Sequence, residues 1–299
     1  MRAVDGVSIA VPAGRTLGIV GESGCGKSVL SLSIMRLLAA PGSIIAGGIT
    51  FDGQDLLAMP QRAMRRLRGR DIAMIFQEPM TSLNPVHTVG AQIIEALRAH
   101  DAAADPRATA IAALTRVRIP DAAAAMDKFP HQLSGGMRQR VMIAMAIACI
   151  PRLLIADEPT TALDVTVQAQ ILELLRDLQA ETGMGLILIT HDLGVIAEMA
   201  DEVAVMYAGR IVESASAQDL FDDPQHPYTL GLLGSIPRLD LDRARLTAIE
   251  GTVPPPHAWP PGCRFAPRCP FAITACDAAP PPLRELSPGH QAACIRAPL

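Results

Sequence analysis

The sequence predicts an α/β fold on a mostly parallel core sheet, and two observations carry that prediction. From residue 17 to 209, short apolar runs bounded by Gly, Asp or Thr alternate with longer amphipathic stretches, the pattern of strands covered by crossover helices. The first of those runs leads straight into a glycine-rich turn and then a helical stretch, the order in which such sheets present a phosphate-binding loop.

Taken in order, residues 4–11 alternate apolar and polar and predict a strand. Residues 17–20 predict a buried strand, 26–39 a helix, and 49–52 and 72–75 two further strands. Helices are expected over 89–100 and 136–148, then a strand over 153–156. The stretch 165–181 places Val167, Ile171, Leu174, Leu175 and Leu178 close to the 3.6-residue period of a helix. Strands follow over 186–189 and 203–206, and Ala208-Gly209-Arg210 reads as the turn of a hairpin joining 205–207 to 211–213. Twelve of the 25 prolines lie in residues 254–299, which largely excludes regular helices and strands there. A segment so rich in proline normally needs a staple. The expected division is a main domain over 1–221, with a helical subdomain at about 85–150, and an extension over 222–299.

The 299 residues, 49% hydrophobic and 19% charged, supply a sizeable core and exclude disorder for most of the chain. A net charge of −4 gives no nucleic-acid footprint. The longest purely apolar run, 141–150, falls short of the ~20 residues that cross a bilayer. No charged segment followed by an apolar one opens the chain as a secretory signal would. A soluble protein on the cytoplasmic side is expected, where the six cysteines stay reduced. Lys27 and Lys128 are the only lysines, so a lysine inside a motif is not filler.

Gly21, Glu22, Ser23, Gly24, Cys25, Gly26, Lys27 and Ser28 fit G-x-x-x-x-G-K-[ST]. The glycines let backbone N–H groups converge on phosphate oxygens at the positive end of the following helix. Lys27 reaches the outer phosphates and Ser28 ligates Mg²⁺, while Cys25 needs only to be small. The apolar run 153–156 ends in Asp157 and Glu158, at the strand end that faces the nucleotide in such a sheet. Asp157 suits the Mg²⁺ shell and Glu158 suits an attacking water. Ser134 can cap the helix that begins at Gly135 and Gly136, which makes a second anion-binding end. One nucleotide hardly needs two such ends, so the second is expected to serve a nucleotide held by another copy of the domain. The run Arg62, Arg65, Arg66, Arg68 and Arg70 reads as a solvated face.

Together these residues resemble the ATP-binding subunit of an ABC transporter. The matching pieces are the loop Gly21 to Ser28, a Q-loop glutamine at Gln77, the signature 133–139, and the strand ending at Asp157 and Glu158. The D-loop Ala162-Leu163-Asp164 and a switch histidine at His191 complete the set. The order and spacing resemble the family over about residues 1–220. The resemblance implies a P-loop ABC-type ATPase with a helical signature subdomain, and a Pro/Cys-rich C-terminal extension. It implies a head-to-tail dimer with ATP sandwiched between one subunit's phosphate loop and the other's signature. Ser134, Gly135, Gly136, Gln139 and Asp164 would then touch ATP in trans. Glu158, His191 and Gln77 form the implied catalytic set, and Ser28, Gln77 and Asp157 the implied Mg²⁺ ligands. His191 would hold the γ-phosphate, and Gln77 would relay nucleotide state to the membrane subunits.

Residues 76–85, His226-Pro227-Tyr228 and the tail through Cys294 resemble the dipeptide/oligopeptide branch of importers, the peptide/nickel transporter family. Nickel and glutathione importers share this tail and stay open as alternatives. A non-transport ABC ATPase is a further alternative, although two cassettes, a coiled-coil insertion or a basic arm are not found in this sequence. The implied partners are two transmembrane permease subunits, a second ATPase (a paralogue or a copy) and an extracytoplasmic peptide-binding protein, with no nucleic acid. The implied location is peripheral, on the cytoplasmic face of the cell membrane.

Cys263, Cys269, Cys276 and Cys294 are spaced x5, x6 and x17, without the C-x2-C of a zinc ribbon. Four soft ligands suit a [4Fe–4S] cluster or tetrahedral Zn²⁺, and reduced unliganded thiols are the third reading. Some peptide importers with a similar tail carry a [4Fe–4S] cluster on these cysteines, so a cluster is expected, with zinc the lesser alternative. The chain opens part-way into what is normally the family's second strand, and no aromatic precedes Phe51 to stack on adenine. A start codon set too late is the expected cause, since a lost edge strand exposes its neighbour.

Overall fold

The structure, a computed structural model, describes residues 1–161, 163–235 and 249–299. In chain order the elements are β1 (Thr16–Val20), α1 (Lys27–Ile34), β2 (Thr50–Phe51), β3 (Gln54–Asp55), α2 (Gln61–Leu67) and β4 (Ile72–Ile75). Five helices follow, α3 (Pro79–Ser82), α4 (Val89–Ala99), α5 (Pro106–Arg116), α6 (Ala122–Ala125) and α7 (Gly135–Ile147), then β5 (Leu153–Asp157) and α8 (Val165–Thr182). Next come β6 (Gly185–Thr190), α9 (Leu193–Met199), β7 (Glu202–Tyr207), β8 (Arg210–Ser216), α10 (Ala217–Asp222) and α11 (Pro227–Gly234). The chain closes on β9 (Arg284–Ser287) and β10 (His290–Ala292). Two compact units emerge: one comprises Met1–Val11, Thr16–Ser33 and Leu188–Leu299, the other Pro12–Arg15 and Ile34–Ile187.

In the second of these units, β4 and β5 pair in parallel from Ile72 opposite Leu153 to Ile75 opposite Ala156. All four residues of β4 are buried, as a strand covered on both faces must be. The apolar stripe of α8 (Ile171, Leu172, Leu174, Leu175, Leu178) is buried as its periodicity requires. Asp164 caps the start of α8, and Gly183, at φ 68, ends it in the left-handed conformation that glycine adopts without strain. Within about 85–150 every regular element is a helix.

In the first unit, β1 and β7 pair in parallel from Leu17 opposite Glu202 to Val20 opposite Val205. β7 and β8 form the expected hairpin, turning through Ala208 at φ 43 and Gly209 at φ 84. The C-terminal hairpin then extends this sheet, with β10 antiparallel to β8 and β9 antiparallel to β10. Glu213 on β8 is fully buried and fixes the tail. Its carboxylate accepts from the backbone N–H groups of Gln225 (2.6 Å) and His226 (2.9 Å) and pairs with Nε2 of His290 at 2.8 Å. Tyr207 packs edge to face on Tyr228 and Phe265, which lie tilted to each other, with centroids 4.6 to 5.3 Å apart, joining β7, α11 and the tail through a desolvated aromatic core.

Four expectations need correction. Residues 4–11 form no strand: Asp5 N–H donates to the Gly209 carbonyl at 2.8 Å, one bond where a ladder needs several. α1 stops at Ile34 rather than 39 because Arg36 turns to φ 50, and its guanidinium donates to the Leu56 and Met59 carbonyls at 2.7 Å each. The strand expected over 49–52 shrinks to Thr50–Phe51. The proline-rich tail does hold two strands, since its prolines flank β9 and β10, and Pro288-Gly289, with Gly289 at φ 76, makes the turn between them. Among the described residues no helix is long and apolar enough to cross a membrane.

Candidate active site

The first unit carries the phosphate loop, directly after β1 and opening α1. A Cβ on Gly21 would stand 2.1 Å from the Met206 carbonyl oxygen, and one on Gly26 2.7 Å from the Ala3 carbonyl. Glycine is therefore required twice for packing, and Gly24, at φ 80 with open space around it, a third time for conformation. Lys27 is buried, and its ammonium donates to the loop carbonyls of Gly21 (2.6 Å) and Glu22 (3.1 Å). Burial pushes the Cys25 thiol up despite the neighbouring Lys27, so Cys25 stays protonated and inert, which suits a small filler. Ser23 and Ser28 lie exposed on the loop. His191 follows β6 and is exposed, while the capping of α9 falls to Asp192, whose Oδ1 accepts from the N–H groups of Gly194 (2.8 Å) and Val195 (3.3 Å).

In the second unit, Asp157 ends β5 and is buried. Glu158 follows in the left-handed region at φ 48, a conformation costly for a non-glycine residue and typical of functional turns. Its Oε2 accepts from Gln77 Nε2 at 3.0 Å and from Thr161 Oγ1 at 2.8 Å. Thr161 was not singled out in the sequence, although its place three residues after the carboxylate is the available signal. Ser134 caps α7, its Oγ accepting from Met137 N–H at 3.3 Å. Gly136 packs so closely that a Cβ would lie 2.9 Å from Val167 Cγ1. Val167 N–H in turn donates to Asp164 Oδ1 at 2.9 Å, so the starts of α7 and α8 meet at Val167. Gly135 has open space on its Cα. Gln139 is buried, and its Nε2 donates to the Pro159 carbonyl at 2.5 Å. Of the D-loop, Ala162 lies outside the described residues.

The arginine run is not one solvated face. Arg62, Arg65, Arg66 and Arg70 are exposed, but Arg68 turns inward to the Met35 and Arg36 carbonyls at 2.7 and 2.9 Å.

Cys263, Cys269, Cys276 and Cys294 all line one cavity of about 10 Å³ together with Phe265 and Phe271. Burial pushes the Cys263 and Cys269 thiols up. The donor chemistry, four thiols around one space, suits a soft metal or cluster. The side chains as placed do not ligate: among the described residues no group of three or more His, Cys, Asp or Glu is arranged to hold a metal ion.

The ABC transporter family matches residues 4–161, and the oligopeptide/dipeptide transporter C-terminal region matches residues 212–276. A Brucella melitensis protein described as a peptide import ATP-binding protein is 56% identical over 308 residues, covering 98% of this chain and 91% of the relative. The dipeptide transport ATP-binding protein DppD of Escherichia coli is 53% identical over 295 residues, covering 98% and 90%. The dimeric ABC transporter cassette MJ0796 superposes with a TM-score of 0.64 at 27% identity, over 72% of this chain and 90% of that one. Its post-hydrolysis state with ADP and phosphate superposes equally well, at 26% identity over the same shares. The fold is that of an ABC ATPase cassette, α/β with a mostly parallel sheet.

Proposed function

The chain belongs to the ATP-binding subunits of ABC transporters, and from that premise we propose the roles of its residues in hydrolysing ATP to power di- and oligopeptide import. The cassette and the peptide-transporter tail occur in one chain, and relatives covering nearly all of it are named for peptide import. The observation that carries the chemistry is the grip on Glu158, one carboxylate oxygen of which receives both Gln77 and Thr161.

The triphosphate lies along Gly21, Glu22, Ser23, Gly24, Cys25, Gly26, Lys27 and Ser28, held by backbone amides and the positive end of α1. Lys27 exchanges the Gly21 and Glu22 carbonyls for the outer phosphates. Ser28, Asp157 and Gln77 would hold Mg²⁺, which neutralises charge on the β- and γ-phosphate oxygens when bound. Glu158 accepts a proton from the water that attacks the γ-phosphorus, and His191 holds the γ-phosphate. Gln77 and Thr161 fix the carboxylate while it waits, which is the preorganisation that general-base catalysis needs. Ser134, Gly135, Gly136 and Asp164 reach the nucleotide of a second ATPase subunit in a head-to-tail dimer, a copy or a paralogue. Gln139 belongs to the same in-trans set and also braces the turn after Glu158 through Pro159.

In this reading residues 1–221 are the nucleotide-binding domain, with its helical subdomain at about 85–150, and residues 222–299 the extension. Two permeases and an extracytoplasmic peptide-binding protein complete the importer, and the chain sits peripherally on the cytoplasmic face of the membrane. Cys263, Cys269, Cys276 and Cys294 would hold a [4Fe–4S] cluster, with zinc the second choice. Such a cluster would supply a structural staple to a tail that buries little.

The test is uptake of a labelled dipeptide into proteoliposomes carrying the chain with its permeases and second ATPase. ATP-dependent uptake that Lys27→Ala abolishes supports the reading. Uptake of nickel or glutathione with none of the dipeptide would overturn the peptide assignment.

A further inference from the structure

Glu22, an unconstrained position of the phosphate-loop pattern, has each of its polar groups engaged. Its N–H donates to Tyr228 Oη at 2.8 Å, and its carbonyl accepts from Lys27. Its carboxylate receives a two-pronged guanidinium, Arg268 Nη1 to Oε1 at 2.9 Å and Nη2 to Oε2 at 3.0 Å. Arg268 comes from the proline-rich tail, 246 residues away in sequence. Its side chain is 6% exposed and that of Glu22 29%, so this ion pair is less screened than a fully exposed one. Its remaining donors are also used: Nε donates to the Glu250 carbonyl at 2.8 Å, Nη1 to Tyr207 Oη at 3.3 Å, and Nη2 to the Ile249 and Gly251 carbonyls. A lysine could not make this set, since it lacks the planar fork.

The phosphate loop is thus held from outside by two groups that never touch phosphate. We propose that Arg268 and Tyr228 are positioning residues for ATP binding, acting through Glu22, so that the C-terminal region sets the nucleotide affinity of the loop. The inference rests on the reading of residues 21–28 as the ATP site. Tyr228 fixes where the Glu22 peptide lies in the loop. Arg268 fixes the side chain of the same residue, from the turn (Ala266–Arg268) that runs directly into Cys269. Releasing either group lets the loop open, and the ordering then has to be supplied by the bound nucleotide, which weakens binding without altering the chemical step.

The experiment is a double-mutant cycle on the full chain, reading ATP dissociation constant together with kcat and KM for hydrolysis. Arg268→Ala should weaken ATP binding and raise KM about tenfold, the scale of one hydrogen-bonded charged pair, with kcat within about twofold of wild type. In a Glu22→Ala background the same substitution should cost little more, because the route through Glu22 is already gone. Tyr228→Phe, which removes one hydroxyl and keeps the ring, should also raise KM and covers the case in which Arg268→Ala does not fold. Equal losses from Arg268→Ala in both backgrounds, or an unchanged KM in both Arg268→Ala and Tyr228→Phe, would overturn the proposal. A wild-type chain that binds no ATP would instead overturn the reading of the loop itself.

Discussion

Gln77 Nε2 lies 3.0 Å from Glu158 Oε2, so the glutamine before α3 and the carboxylate after β5 share one hydrogen bond. Thr161 donates to the same oxygen at 2.8 Å. Hydrogen bonds to a charged group contribute about 1.5–3 kcal/mol each. Gln77→Ala and Thr161→Val should each lower kcat roughly 10- to 100-fold by loosening the carboxylate, a range that follows from that energy. The double variant should lose less than the product of the two, because both act on one group. Steady-state ATPase kinetics on the four proteins check this, and strictly multiplicative losses would separate the two residues.

Gly21→Ala places a methyl group 2.1 Å from the Met206 carbonyl. Backbone cannot yield there as a flexible side chain could, so the loop must shift. ATP binding should fall at least tenfold, about the 1.4 kcal/mol that even modest strain represents. Gly24→Ala meets no atom but has φ 80, so its loss should be smaller. Isothermal titration with ATP distinguishes the two, and a Gly24 loss exceeding that of Gly21 would be contrary.

Asp5 should make folding pH-dependent. Burial raises its carboxyl, but hydrogen bonds from Arg210, Arg264 and Arg2 outweigh that and hold it at about 2, below the ordinary 3.8. A depressed folded-state value favours the ionised form, so the stabilisation is fully present above about pH 4 and fades as pH falls toward 2. Asp5→Asn should therefore cost about 2 kcal/mol at pH 7, and the gap to wild type should close by pH 2. Urea unfolding across that range measures it, and a gap that widens on acidification would reverse the sign.

The four tail cysteines predict bound metal. Protein purified without oxygen should contain about four irons and four sulfides per chain, the composition of one [4Fe–4S] group, and Cys269→Ser should lose them. Zinc in their place would make the tail a zinc staple. Neither metal would leave four packed thiols around the cavity.

The buried strands were legible because a strand covered on both faces must be continuously apolar, as residues 72–75 and 186–189 are. The charged residues proposed for the site stand out in the sequence because phosphate chemistry calls for particular residue types at fixed local spacing. Residues 4–11 misled because alternation signals a half-buried segment, whether or not a neighbour is present to pair with it. The bond from Gln139 to the Pro159 carbonyl had no signal in the motif, because a place in a motif does not say which way the helix turns a side chain. The grip of Arg268 and Tyr228 on Glu22 had no local signal at all, since it joins residues more than 200 positions apart.

The most direct test of Glu158 as the catalytic base is Glu158→Gln, with ATP binding and ATP hydrolysis measured on the same preparation. The substitution keeps the size of the side chain and an oxygen for Gln77 and Thr161, but removes the proton acceptor. ATP should bind as tightly as to wild type while hydrolysis falls by about 10²- to 10⁴-fold, the contribution of a positioned base. Hydrolysis within a fewfold of wild type would contradict it and place the base elsewhere.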